Sequence, residues 1–286
     1  MAGPTLTHPE RVLFPDLGLT KRDLADYYAA VAPSLLPHVA GRPLMVLRCP
    51  EGVGAKAFFQ KHPARGQPAA VRAVDVRESG GTKQYLAIDD AEGLLGLVQM
   101  GAVEVHAWGS RAADLEHPDL LTFDLDPDPR VPWARTVAAA RELRARLAAH
   151  GLESFCKTTG GKGLHVVAPI APVAGWDEVK LFSRALAEAM VSDAPSLYLA
   201  KASKAERRGK IFLDWLRNTR GASAVSPYSA RARPGAPVAT PIAWSELGAK
   251  LVPARFDVPA VLRRLARQSR DPWAGYADLR QALSAR

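Results

Sequence analysis

The stretch Leu120-Leu121-Thr122-Phe123-Asp124-Leu125-Asp126-Pro127 alternates apolar and polar residues in the manner of a half-buried β-strand. Leu121, Phe123 and Leu125 fall on one face, and Thr122, Asp124 and Asp126 on the other. Two carboxylates at i and i+2 then point the same way, roughly 7 Å apart along the strand. Like charges that close repel, so the arrangement is costly unless a cation or a proton sits between them. A divalent metal with oxygen ligands is one occupant that fits. The other reading is an exposed strand end leading into the turn Pro127-Asp128-Pro129, and the stretch alone leaves both open.

A second strand, Ile211-Phe212-Leu213-Asp214-Trp215-Leu216, is apolar on both faces except at Asp214, and a carboxylate there needs a partner. Arg217 or Arg220 could satisfy it. If this strand lies beside the first, three carboxylates converge, which is what two-metal phosphoryl transfer requires. Between the two strands in sequence lies the turn KTTGGKGLH, Lys157 to His165. It is not a Walker A loop: the spacing differs, no Ser or Thr follows Lys162, and a strand comes next instead of a helix. A Gly-Gly hairpin turn explains the glycines structurally. Lys162 at the tip and His165 in the strand could equally face one triphosphate, with backbone N–H groups assisting.

Outward from these stretches the chain reads as irregularly alternating strands and helices with hairpins, an α+β class protein. Residues 5–16 form an extended arm with a turn at each proline, and Thr20 caps a helix running to about Leu36, with Asp23 completing a capping box. Strands are expected at 43–49, 57–60, 71–77, 85–88 and 102–108, the last carrying His106, with a short helix at 91–100. Pro132 opens a long helix that stops at Gly151, and strands at 153–158 and 164–170 flank the glycine turn. A helix at about 176–191 precedes the basic segment 201–210, and one or two packing helices close the chain after about Leu251.

Hydrophobic content of 48% and charged content of 23% belong to an ordinary globular protein. No apolar run reaches transmembrane length and residues 1–20 do not read as a signal peptide, so no membrane partner is expected. Cys49 and Cys156 stand far apart with no CxxC spacing, which suits a reducing cytoplasm and not a disulfide framework. The net charge of +9 is unevenly placed: residues 1–200 hold 21 Lys and Arg against 23 Asp and Glu, whereas residues 201–286 hold 17 against 6. A surplus confined to the last third is what a phosphate-facing surface would show. Arg outnumbers Lys 27 to 11, however, a bias that coding composition alone can produce. Phe58 and Phe59, followed by Lys61 and His62, could stack on a base beside a phosphate, or one ring could be core and the other incidental.

Taken in order, LTHPERVLFPDLGLTKRDLADYYAAVAPSLLPH, RPLMVLRCPEG, FFQKH, YLAIDDAEGLLGLVQMGAVEVHAWGSR, LTFDLDP, SFCKTTGGKGLHVVAPI and SKAERRGKIFLDWLRNTRGASAVSPYSARARPGAPVATPIAW resemble the polymerase domain of bacterial non-homologous end-joining ligase D, within the archaeo-eukaryotic primase superfamily. The resemblance covers nearly the whole chain and implies one primase-polymerase domain over 1–286: a central, mainly antiparallel catalytic sheet flanked by helices, with two lobes around an active-site cleft. Residues 1–110 would form mainly the lobe with the 5′-phosphate and DNA-binding elements, 111–250 mainly the catalytic and nucleotide-binding region, and 251–286 the packing helices. The resemblance makes Asp124, Asp126 and Asp214 the catalytic metal ligands, and His106, Thr159, Lys162, His165, Arg217 and Arg231 the nucleotide-binding residues. It puts His8, Arg11, Lys21 and Phe58 at the 5′-phosphate and gap, and Arg207 in a loop that brings DNA ends together.

It further implies two Mn2+ or Mg2+ ions, a nucleoside triphosphate substrate with ribonucleotides preferred, and gapped or broken DNA as partner. End joining with Ku and gap filling with a separate ligase both fit. Thr159 stands where Ser is usual, Trp215 where Tyr is, Ala230 where Val is and Arg11 where Lys is common; none of these removes a ligand. There is no KxDG ligase nucleophile motif and no room for a nuclease domain, so a stand-alone polymerase or an excised domain is expected. A catalytically silent end-binding module and a metal-dependent nuclease using the same carboxylates are the alternatives.

Overall fold

Leu120–Pro127 is a strand, as its alternation predicts, and lies third in a six-stranded sheet. The computed structural model describes residues 6–203 and 205–283. Thr5 of the expected arm, Lys204 of the basic segment and residues 284–286 lie outside the described residues.

In chain order, β1 (Val12–Phe14) and β2 (Leu19–Thr20) make a small antiparallel ladder that leads into α1 (Lys21–Val39). The Thr20 cap forms as expected: Asp23 N–H donates to Thr20 Oγ1 at 3.2 Å and Thr20 N–H donates to Asp23 Oδ2 at 2.8 Å. The helix runs past Leu36 to Val39 despite Pro33 and Pro37. Both prolines are exposed, where the carbonyls they leave free face solvent, while buried Leu35 and Val39 hold the last turns in the core. Then follow β3 (Leu44–Arg48), β4 (Phe58–Gln60), β5 (Arg72–Glu78), β6 (Gly81–Ala87), α2 (Ala91–Gln99) and β7 (Ala102–Trp108). The chain continues with β8 (Leu120–Pro127), α3 (Trp133–Ala149), β9 (Phe155–Thr158), β10 (Leu164–Pro169), α4 (Trp176–Asp193), β11 (Tyr198–Leu199) and β12 (Ile211–Asp214). Short strands β13 (Ser223–Val225) and β14 (Pro241–Ile242) and helix α5 (Val258–Arg267) complete the set.

Two sheets result. One has the order β11-β12-β8-β10-β9-β14 and is antiparallel apart from the β11–β12 pair. The other has the order β13-β7-β3-β6-β5, with β4 added on β3. The apolar face of the first, with Leu121, Phe123, Leu125, Leu164 and Val166, packs with Leu143 and Leu147 of α3 and Val179 and Met190 of α4. A separate cluster joins β3 and β7 to α1, α2 and the start of α5. This is a mixed α+β fold of antiparallel sheets flanked by helices.

The two sheets are not contiguous in sequence. Ser223–Val225 follows directly on the β12 region yet pairs with β7 of the other sheet, Val225 opposite His106. Val258 and Val261 of α5 lie in the core of the N-terminal residues. Among the described residues no helix is long and apolar enough to cross a membrane.

Helix α2 sits unusually close to its neighbours. A Cβ on Gly93 would lie 2.6 Å from Ile88 Cβ and 2.8 Å from its Cγ2, and Ile88 is fully buried. Gly93→Ala gains helix propensity of about 1 kcal/mol, but overpacking of a fixed core costs about 1–3 kcal/mol. The expected outcome is a lowered urea midpoint with an unchanged slope; a raised midpoint would show that Ile88 yields.

Candidate active site

Register assembles the site. β12 lies against β8 so that Asp214 sits opposite Asp124 and Phe212 opposite Asp126. On the other side of β8, β10 sets His165 opposite Asp124, and β9 sets Lys157 opposite His165. Residues directly opposite across an antiparallel pair share a face, with Cβ atoms about 4.5–5.5 Å apart. Asp214, Asp124, His165 and Lys157 therefore form one row across four strands, with Asp126 two residues along. The convergence of three carboxylates, conditional in the sequence, is a property of the fold.

Each carboxylate is met by a cation. Arg217 Nε lies 3.1 Å from Asp214 and its Nη2 lies 3.6 Å from Asp124. Asp126 is held from two sides, by Lys162 Nζ at 3.2 Å and Arg207 Nη1 at 2.9 Å. The Arg207 guanidinium also lies 4.0 Å above the Phe212 ring, a cation–π contact. Of the two arginines proposed for Asp214, Arg217 takes the role, whereas Arg220 pairs with Glu116 at 2.6 Å.

Burial pushes the Asp124 carboxyl up, but His165, Arg217 and Lys157 outweigh it and hold the group at about 2. His165 is driven the other way: burial, then the Lys157 charge, lower it to about 4 against the pull of Asp124. His165 Nε2 lies 3.5 Å from Asp124 Oδ1, so the ring flanks that carboxylate from β10. Asp214 is raised, by burial first and by the facing Asp124 charge, with Arg217 opposing.

The glycine turn closes one wall. Gly160 has φ +66, and a Cβ there would sit 2.5 Å from Arg231 Cγ. A Cβ on Gly163 would strike the Leu125 carbonyl at 2.5 Å. The two glycines thus let the turn lie under Arg231 and against β8. The Thr159 hydroxyl donates to the Gly163 carbonyl at 3.2 Å, and Arg231 Nη1 donates to the Thr159 carbonyl. From the other sheet comes His106, whose Nε2 lies 2.8 Å from Glu104 Oε2; Arg231 Nε reaches the same oxygen at 3.0 Å. A cavity of about 240 Å3 is lined by His106, Asp124, Asp126, Thr159, Lys162, His165, Arg217 and Arg231 together with Arg233. All six expected nucleotide-binding residues and two of the three carboxylates thus share one space, and Arg217 links the third to it.

Sequence reasoning missed two residues here. Lys157 is 2% exposed, and its ammonium has no hydrogen-bond partner among the described residues. Burial, then Arg231, lower it to about 7. It opens the quoted turn motif, and hairpin register opposite His165 would have placed it. Glu104, 3% exposed, precedes His106 by two residues on the same strand face, and that spacing was the available signal.

The remaining candidates lie outside this cavity. Arg11 donates to the Pro50 carbonyl at 2.6 Å and to Glu51 at 3.1 Å, and the backbone N–H of Lys21 donates to the Arg11 carbonyl. The Lys21 ammonium is spent on Thr7 O, Gln99 O and Gln99 Oε1 at 2.9, 3.1 and 2.9 Å, so its burial there has a structural cause. His8 is exposed with φ 51. Phe58 and Phe59 are 41% and 55% exposed, so neither ring is core; Arg48 lies over Phe58, and Phe59 meets the His106 ring edge-on at 5.7 Å. The basic residues of the last third include Arg217, Arg231 and Arg233 in the cavity, the segment 201–210, whose Arg207 reaches Asp126, and the exposed Arg255, Arg263, Arg267 and Arg270 on and beside α5.

Among the described residues no group of three or more His, Cys, Asp or Glu stands in a ready metal-ligating arrangement, since the carboxylates are turned to Arg and Lys. The donor set still suits a hard divalent ion: three carboxylates on adjacent strands supply only oxygen, and their charge already requires cationic compensation.

Carboxylates converging at a sheet centre beneath a wall of phosphate-seeking cations are the equipment of a nucleotidyltransferase. The family model for LigD, primase-polymerase domain, matches residues 20–273, and the chain belongs to that family. It is similar to the multifunctional non-homologous end joining protein LigD of Pseudomonas aeruginosa, 40% identical over 285 residues, which is 99% of this chain and 34% of that protein. It is 30% identical over 263 residues to the bifunctional non-homologous end joining protein LigD of Bacillus subtilis, 92% of this chain and 42% of that one. The chain thus spans well under half the length of these curated relatives. The polymerase domain from Mycobacterium tuberculosis ligase D, solved in complex with DNA, superposes with a TM-score of 0.90 at 34% identity, over 96% of this chain and 98% of that one. Membership implies metal-dependent catalysis.

A raised carboxyl binds its proton more tightly in the folded protein than in the unfolded chain, so Asp214 favours folding more as pH falls through its raised pKa. Removing Arg217 takes away the cation that opposes this shift. Arg217→Ala is therefore expected to be less stable than the parent at pH 7, with the gap narrowing toward pH 4 as the carboxylate pair takes up a proton. Urea unfolding of both proteins in chelator across that range checks it; a gap independent of pH would contradict the ion pairing described.

Proposed function

We propose that this chain is a single primase-polymerase domain that fills short gaps or extends ends in DNA repair by template-directed nucleotidyl transfer, with ribonucleotides preferred. The observation that carries the reading is the row Asp214, Asp124, His165 with Asp126 beside it: Asp124, Asp126 and His165 line the same cavity as Lys162, Arg217 and Arg231, and Arg217 ties Asp214 to it. Asp124, Asp126 and Asp214 would hold two divalent ions, Mn2+ or Mg2+. When bound, such ions make the primer 3′-hydroxyl more acidic and neutralise the triphosphate and its pyrophosphate leaving group.

The chain's own side chains do the rest. Lys162 and Arg207 neutralise Asp126 in the absence of ligand, and exchange onto phosphate oxygens leaves that carboxylate to a metal ion. Arg217 and Arg231 clamp the triphosphate, and His165 holds the Asp124 carboxylate in one orientation. The exposed Phe58 stacks on a base at the gap, with Arg11, His8 and Lys21 recognising a downstream 5′-phosphate; for Lys21 this means exchanging a carbonyl for phosphate. Arg207 also contributes to holding two ends together. The DNA in the tuberculosis relative supports DNA as partner, and the relatives' names support a role in end joining; Ku, a ligase and a cytoplasmic, nucleoid-associated location belong to the same proposal.

Primer extension on a gapped, 5′-phosphorylated duplex with Mn2+ tests the assignment, with ribo- and deoxyribonucleotide lanes in parallel. The parent is expected to lengthen the primer, faster with ribonucleotides. Asp124→Ala combined with Asp126→Ala is expected to abolish extension while still retarding the gapped duplex in a gel. Synthesis by the double variant would overturn the reading; shortening of the primer by the parent would indicate a nuclease, and binding without incorporation a silent module.

A further inference from the structure

Glu104 contributes no atom to the cavity wall, yet two residues that do are tied to it. Its carboxylate, 4% exposed, accepts from Ala232 N–H at 2.9 Å on Oε1 and from His106 Nε2 at 2.8 Å on Oε2, and the Arg231 Nε lies 3.0 Å from the same Oε2 as an ion pair. Burial pushes the carboxyl up, but His106, Arg231 and the Ala232 N–H bring it to about 2, so it is ionised at neutral pH. We infer that Glu104 is the positioning residue of the nucleotide pocket, fixing the plane of the Arg231 guanidinium and the tautomer of His106 from behind the wall. This rests on the polymerase reading.

An ionised carboxylate only accepts, so His106 Nε2 must carry its hydrogen, leaving Nδ1 as the ring's acceptor. Arg231 is fixed at two points from opposite sides. Its Nε is on Glu104 of β7, its Nη1 is on the Thr159 carbonyl of the glycine turn, and its stem crosses Gly160 where no Cβ would fit. A guanidinium held by a hydrogen bond on one side and an ion pair on the other presents its remaining donors in a restricted plane, which is what bidentate recognition of a phosphate needs. Glu104 belongs to one sheet and Thr159 to the other, so the donor geometry is defined only when both walls are in place.

Glutamine at this position cannot reproduce the arrangement. With its oxygen toward His106 and Arg231, its amide hydrogens oppose the Ala232 N–H; turned over, they oppose the His106 Nε2–H and the Arg231 cation. A fold staple and a positioning residue differ in what this does to the folded protein. As a staple, Glu104→Gln lowers the melting temperature and leaves nucleotide affinity unaltered. As a positioning residue, it weakens nucleotide binding.

The experiment is calorimetric titration of ATP with Mn2+ into the parent, Glu104→Gln and Glu104→Asp, at a temperature where circular dichroism shows each folded. Binding of a gapped duplex without nucleotide is the control. Glu104→Gln is expected to weaken ATP by about tenfold, equivalent to about 1.4 kcal/mol, with duplex affinity unchanged. Glu104→Asp, which keeps the charge, should fall between and serves as the decisive variant if the glutamine protein does not fold. Arg231→Lys should cost a similar factor, and combining it with Glu104→Gln should cost little more, because both act through one contact. Parent-like ATP affinity in folded Glu104→Gln, or in Glu104→Asp where only that variant folds, overturns the inference. Absence of ATP binding by the parent itself would instead overturn the polymerase reading.

Discussion

Charge compensation across β12, β8 and β10 is the constraint that the rest of the site answers to. Antiparallel register sets Asp214 against Asp124, and two buried anions side by side are unstable without cations close at hand. Arg217 supplies one to both carboxylates, from the short turn that follows β12. Asp126 draws in Lys162 from the glycine turn and Arg207 from the basic segment. The positive wall of the cavity and the negative row of the sheet are therefore one electrostatic object. The turn needs its glycines because the cations and the Leu125 carbonyl crowd it.

That object explains why a strongly basic protein keeps acidic residues at its centre. On the proposed function, ligand binding would exchange partners without creating isolated charges: Asp126 would be the residue to hold a metal ion, and Lys162 and Arg207 would be released to phosphates. In the structure the cost of burying the carboxylates is offset by these cations and Arg217, so two bare anions are not left in contact.

Much of this was legible in the sequence because period-two alternation assigns faces. Leu121, Phe123 and Leu125 went to the helices and Asp124 and Asp126 to the cleft, as the pattern required. The Asp214 strand, the hairpin around Gly160 and Gly161, and the Thr20 capping box were equally local signals. What was not legible depends on register between distant strands. Lys157 becomes a buried neighbour of His165 only through the β9–β10 pairing, and Glu104 acquires its role only because Arg231, far along the chain, reaches back to it. The passage of Ser223–Val225 to the other sheet has no local signature, since its three residues are too short to show a pattern. The extension of α1 through two prolines was hidden for a related reason: burial of Leu35 and Val39 overrode propensity.

The crossing at Ser223–Val225 has a mechanical meaning. Asn218 is pinned to β8, its side chain accepting from Thr122 N–H at 2.7 Å and donating to the Thr122 carbonyl at 2.8 Å. Five residues later the chain is hydrogen-bonded into the other sheet, where Val225 faces His106. A span that short reaches less than about 18 Å even when fully drawn out, so the walls of the cleft are tethered at this end. Ala224 and Val225 of the tethered strand line the same cavity as Asp124 and Asp126, so a relative shift of the two sheets is restrained most at the carboxylates.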